Sequence, residues 1–128
     1  MFSGIISVSA AVLFLYPAQN LQESIKRGKE VYTLSCQNCH MENGQGIEGV
    51  NPPLAKTTYL KDVKKNIGII LNGQTGDVTV NGKKYNAIMN PMNYLDDQQI
   101  SDVLNYVRNS WGNKYPYVSP AQVKAERK

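Results

Sequence analysis

The 128-residue sequence is poor in metal-binding and cross-linking side chains, with one histidine and two cysteines. Two cysteines cannot build a disulfide-dense scaffold. Without a further Cys or His pair, the chain cannot complete a structural zinc site. There is no apolar run of about 20 residues, the length that spans a bilayer comfortably. Charge of one sign is scarce too: 14 Lys and Arg against 10 Asp and Glu leave a formal net charge of +4. That mild excess suits docking to an acidic protein surface, and it does not indicate a nucleic-acid partner. With 41% apolar and 19% charged residues, the composition fits one compact domain and is neither disordered nor collagen-like.

Residues 1–20 carry no charged side chain at all. Ile5 to Leu15 is an apolar run as long as a signal-peptide core and short for a membrane helix. No Lys or Arg precedes it, and Ala18 after Tyr16-Pro17 matches a cleavage site poorly. We expect residues 1–20 to be a signal peptide or, uncleaved, an N-terminal anchor, and the only part of the chain to contact a membrane. Either way residues 21–128 lie outside the cytoplasm, in the periplasm or on the outer face of the cytoplasmic membrane.

The remaining chain reads as mostly helical. Ser24 is placed to cap a helix running to Leu34, and a shorter one is expected from about Lys61 to Leu71, closed by Asn72-Gly73. Asp77 to Val80 and Lys83 to Tyr85 flank Asn81-Gly82, the signature of a hairpin with a type I′ turn. The last helix has Asp96 and Gln99 as a capping box and an apolar stripe of Ile100, Val103, Leu104, Val107 and Trp111, with Gly112 placed to end it. Residues 116–128, with mixed charge and two prolines, are expected to form a flexible charged tail.

Both cysteines and the only histidine fall within Cys36-Gln37-Asn38-Cys39-His40. C-x-x-C-H is the attachment signature of c-type haem. Two thiols three residues apart on a turn can add to the two vinyl groups along one porphyrin edge, and the following imidazole is carried beneath the iron. The competing readings fit less well. A thiol redox pair needs a strand–helix setting that this helix-preceded motif lacks. A plain disulfide leaves His40 unexplained.

From about Ser24 to Asn113 the chain resembles a small class I bacterial cytochrome c, the monohaem kind with His and Met axial ligands. The resemblance rests on Cys36-x-x-Cys39-His40 and on Gly28 and Tyr32 against Val103 and Tyr106. Gly44, Gly46 and Gly49, Asn51-Pro52-Pro53-Leu54, and Tyr94 to Trp111 support it. It implies an all-α fold over residues 21–115, with helices wrapped around one covalent haem c and the short β-hairpin as an insertion. It implies a carrier of single electrons between redox partner proteins, not an enzyme. Cytochromes of this kind also occur as subunits or modules of nitrite reductases, quinoprotein dehydrogenases and terminal oxidases. A haem peroxidase or gas sensor is disfavoured, because no second histidine or acid–base pair is present.

Cys36 and Cys39 are then the thioether positions and His40 the proximal ligand. Met1 lies in the export segment and Met41 directly follows His40, so Met89 and Met92 remain as distal candidates. The resemblance assigns Met89, in register with a Met-Pro-Pro-like loop in which Asn90 replaces the first proline here; Met92 is the alternative. It also implies that a carbonyl of Pro52 or Pro53 holds the second nitrogen of His40. Leu54, Tyr59, Leu60, Ile67, Ile70, Leu71, Ile88, Leu95 and Leu104 are candidates for the apolar shell. Tyr59, Tyr85, Tyr94 and Trp111 are candidates for propionate contacts. Between residues 50 and 95, Lys56, Lys61, Lys64, Lys65, Lys83 and Lys84 face only Asp62 and Asp77, which points to a partner with an acidic docking surface.

Overall fold

A computed structural model of the chain describes residues 16–128. The elements are α1 (Tyr16–Ser35), α2 (Gln37–His40), a 3-10 turn (Thr58–Lys61), α3 (Val63–Asn72), β1 (Asp77–Val80), β2 (Lys83–Asn86), α4 (Asp97–Val107) and α5 (Pro120–Glu126). The fold is the expected helical domain with a two-stranded hairpin. Most of the expected export segment, residues 1–15, lies outside the described residues; α1 runs through the boundary expected after residue 20. Among the described residues, no helix is long and apolar enough to cross a membrane.

The frame is the crossing of α1 and α4. A Cβ on Gly28 would sit 1.9 Å from the Asp102 carbonyl oxygen and 2.8 Å from the Cβ of Tyr106, so only glycine lets the two backbones meet. One turn on, Tyr32 is buried and packs on Tyr106 with ring centroids 5.4 Å apart. The Gly28–Tyr32–Tyr106 meeting is the expected one, with Asp102 rather than Val103 under the glycine.

Ser24 does not cap a helix as expected. It lies inside α1, fully buried, and its hydroxyl donates to Asp102 Oδ1 at 2.6 Å. Arg27 adds two donors to the same carboxylate, at 2.8 and 3.0 Å, so this buried acid is paired. The capping box of α4 forms as read, but the helix stops at Val107 and leaves Trp111 outside it. Asn109 Nδ2, Ser110 Oγ and Asn113 Nδ2 occupy the carbonyls of Asn105, Tyr106 and Val107, which a continuing helix would have used. Trp111 turns back at φ 51° and packs at a tilt against Tyr32, centroids 5.1 Å apart.

The hairpin closes through Asn81 and Gly82 at φ 51° and 76°, as the type I′ turn requires. Asp62 caps α3, accepting from the Lys65 N–H at 3.1 Å. The flexible tail expected over 116–128 is corrected: Ser119 and Gln122 form a capping box, Pro120 opens α5, and Val118 and Val123 are fully buried. Asn105 holds the segment from both sides, donating to the Val118 carbonyl at 2.9 Å and accepting from its N–H at 2.7 Å. Arg127 then reaches Asp97 at 2.6 Å. The Ser-x-x-Gln box was present in the sequence, while the partner that buries it is distant in the chain.

Candidate functional site

The motif is built on the end of α1. The Cys36 N–H bonds the Tyr32 carbonyl at 2.9 Å, and the Cys39 and His40 N–H groups both return to the Cys36 carbonyl, at 3.2 and 3.0 Å. This single tight turn keeps the two thiols three residues apart and aims His40 inward. Tyr32 fixes its far end, its hydroxyl donating to the Met41 carbonyl at 2.6 Å. Cys36 is half-buried and Cys39 exposed; both are free thiols.

His40 is buried, and its Nδ1 lies 2.9 Å from the carbonyl oxygen of Pro52. A carbonyl can only accept, so Nδ1 carries the proton and Nε2 keeps its lone pair. Burial pushes the imidazole pKa below its ordinary value, with the Pro52 hydrogen bond acting in the opposite sense. The result is a neutral, oriented donor nitrogen. Of the two prolines the resemblance offered, Pro52 makes the contact. Burial, and then the neighbouring Cys39, push the Cys36 thiol up to about 12. A thiol oxidoreductase needs the opposite shift.

Met89 arrives from the loop between β2 and α4. Its N–H and carbonyl exchange two hydrogen bonds with Gln74, both 2.9 Å, and the Met92 N–H bonds the Ile70 carbonyl at 2.7 Å. The loop is thereby laid across the end of α3. Cys36, His40 and Met89 all line one apolar cavity. The cavity continues into an adjoining groove that Cys36, His40 and Met89 also line and that adds Cys39 and Met92. Met92 lines only the groove and packs its side chain against the core.

Leu54, Tyr59, Leu60, Ile70 and Leu104 line the cavity as expected. Ile67, Leu71 and Leu95 instead belong to the core behind it, and Ile88, 74% exposed, stands on the lip of the groove. Ile69 and three valines add to the wall: Val103 and Val107, read as helix stripe with Val103 also at the helix crossing, and Val80, the buried end of β1. Of the tyrosines, Tyr59 lines the cavity, Tyr94 lines the groove at 72% exposed, and Tyr85 is buried away from both. Asn66 was not anticipated. It lines the cavity, and its Nδ2 donates to the Tyr59 carbonyl at 3.2 Å, while its buried Oδ1 has no protein donor.

An apolar cavity with two thiols at its edge, a neutral imidazole with one free nitrogen and a thioether fits a covalently held haem. Bare-metal binding is a poor fit, since among the described residues no three His, Cys, Asp or Glu gather to hold an ion.

Comparison with known proteins agrees. The family profile described as Cytochrome c matches residues 25–111. The chain is 36% identical over 93 residues to cytochrome c-552 of Thermus thermophilus, covering 67% of this chain and 69% of that protein. It is 33% identical over 91 residues to the cytochrome c subunit of the quinone alcohol dehydrogenase of Gluconobacter oxydans, covering 70% of this chain and 19% of that protein. It is 30% identical over 114 residues to the CcoP subunit of the cbb3-type cytochrome c oxidase of Azospirillum brasilense, covering 84% and 35%. The chain therefore belongs to the cytochrome c family, whose domain holds a covalently attached haem c.

Proposed function

We propose that this chain carries single electrons between redox proteins outside the cytoplasm, with Cys36 and Cys39 as the thioether positions and His40 and Met89 as the axial iron ligands. The observation that carries the reading is the convergence of Cys36, His40 and Met89 on one apolar cavity. When bound, haem supplies a one-electron iron couple, and His/Met ligation favours its reduced form. The chain supplies the rest. Pro52 fixes the orientation of the His40 ring, and the paired backbone hydrogen bonds of Gln74 hold the Met89 backbone in place. Apolar walls exclude water and raise the cost of added positive charge.

The lining offers no acid–base pair for bond cleavage, which favours carrier over peroxidase. The uncharged, apolar residues 1–20 support a periplasmic location or one on the outer face of the membrane. The likeness to dehydrogenase and oxidase subunits supports a second form of the same role, as an electron-carrying subunit of a larger enzyme. Potentiometric titration of the purified holoprotein tests the reading. It is expected to give one reversible wave with a slope of about 59 mV per tenfold ratio, and a spectrum unmoved by cyanide. Cyanide binding at once to the oxidised protein would instead indicate an open iron face.

A further inference from the structure

The loop that brings Met89 to the cavity runs between β2 and α4, and its two halves are tied to different parts of the chain. The first half is held by α3 and the residues that follow it: Met89 exchanges its backbone hydrogen bonds with Gln74, and the Met92 N–H bonds the Ile70 carbonyl. The second half, Asn93 to Leu95, is held by one side chain more than thirty residues further on. Arg127 Nη1 donates to the Asn93 carbonyl at 3.2 Å, Nη2 to the Leu95 carbonyl at 2.5 Å, and Nε to Asp97 Oδ1 at 2.6 Å. A planar guanidinium fork can serve all three acceptors at once, which the single ammonium of a lysine cannot. The grip is passed inward, because the Leu95 N–H bonds the Met92 carbonyl at 3.0 Å, three residues from Met89.

Arg127 is itself braced. The helix before it, α5, packs on both α3 and α4, with Val118 and Val123 fully buried and Lys64 of α3 approaching Glu126 at 3.7 Å. The Arg127 and Asp97 side chains are each 30% exposed, so their ion pair alone adds little, and the weight falls on the two carbonyl bonds. We infer that Arg127 is a positioning residue for Met89: by clamping Asn93 and Leu95 it closes the loop behind the methionine and sets how often the thioether leaves its place. The inference rests on the reading of Met89 as the distal ligand. Arg127 and α5 lie past residues 25–111, outside the stretch that matches the family domain, so the family match does not itself imply this clamp.

Slow trapping of the oxidised full-length holoprotein by excess cyanide tests this, because cyanide takes the iron each time Met89 leaves it. Loss of the sulfur-to-iron band is followed over hours. Arg127→Ala is expected to be trapped about tenfold faster than the wild type, the factor that follows from losing one or two hydrogen bonds of a charged donor. Arg127→Lys, which keeps the charge but not the fork, is expected to side with alanine. Asp97→Asn keeps both carbonyl bonds and is expected to stay within about twofold of the wild type. Hydrogen exchange separates a loosened loop from a loosened fold: in Arg127→Ala the Met92 N–H is expected to exchange faster while amides inside α1 do not. A change in trapping of less than about threefold in Arg127→Ala would overturn the inference. So would full rescue by lysine, an equal effect of Asp97→Asn, or equal quickening of the α1 amides. Wild-type protein that binds cyanide at once defeats the assignment of Met89 itself; slow trapping that Arg127→Ala leaves unchanged defeats only this inference.

Discussion

Met89→Ala is expected to remove the sulfur-to-iron charge-transfer band of the oxidised protein and to lower its reduction potential by on the order of 100 mV. Met92→Ala is expected to leave the band in place. The two methionines are three residues apart in one loop, so the sequence alone separates them only by register with related loops. Met89 is favoured because it lines the apolar cavity with His40, whereas Met92 lines only the adjoining groove and packs on the core. Losing the thioether removes the ligand that favours ferrous iron and admits water or an exogenous ligand. Absorption spectra of both oxidation states, with cyanide titration, read the outcome. Band loss in Met92→Ala alone would move the distal assignment.

The second large effect concerns the frame. Gly28→Val is expected to destabilise the holoprotein by about 3 kcal/mol or more, beyond ordinary overpacking, because the added atoms collide with backbone. A Cβ there lies 1.9 Å from a carbonyl oxygen that no rotamer change can move, so α1 and α4 must part. The same shift carries Tyr32 off Tyr106 and disturbs the turn from which Cys36 and His40 are presented. Gly68→Ala provides the contrast. A Cβ on that α3 residue meets nothing within 4 Å, so alanine is expected to stabilise the helix by roughly 1 kcal/mol. Guanidinium denaturation of both variants measures the difference. A Gly28→Val protein within 1 kcal/mol of the wild type would show that the crossing is looser than it looks.

What the sequence disclosed, and what it hid, follows from the range of each signal. The turn of the Cys36–His40 pentad, the hairpin turn and the α4 capping box are local, confined to five, two and four neighbouring residues, and each turn or cap forms as read. The early end of α4 was hidden because Asn109, Ser110 and Asn113 act by capturing carbonyls of the preceding turn, while the apolar stripe runs on past them to Trp111. The fate of residues 116–128 depends on Asn105, whose side chain satisfies both backbone groups of Val118 across thirteen positions. The same limit applied at the site. Leu54 and Leu104 were legible as apolar wall, but Asn66 looked like one polar residue on a short helix, and only the folded cavity shows its buried oxygen without a donor. The lysine run was legible as charge, and none of its six side chains lines the cavity or the groove.

The most direct check on the whole account is intact mass, followed by peptide mapping, of protein purified from a host able to mature c-type cytochromes. The account predicts a red protein heavier than its polypeptide by one haem, with the added mass on the peptide containing Cys36 and Cys39 and resistant to acid–acetone extraction. A colourless protein at the mass of its amino acids, or a pigment that acid–acetone strips from unmodified cysteines, would contradict it.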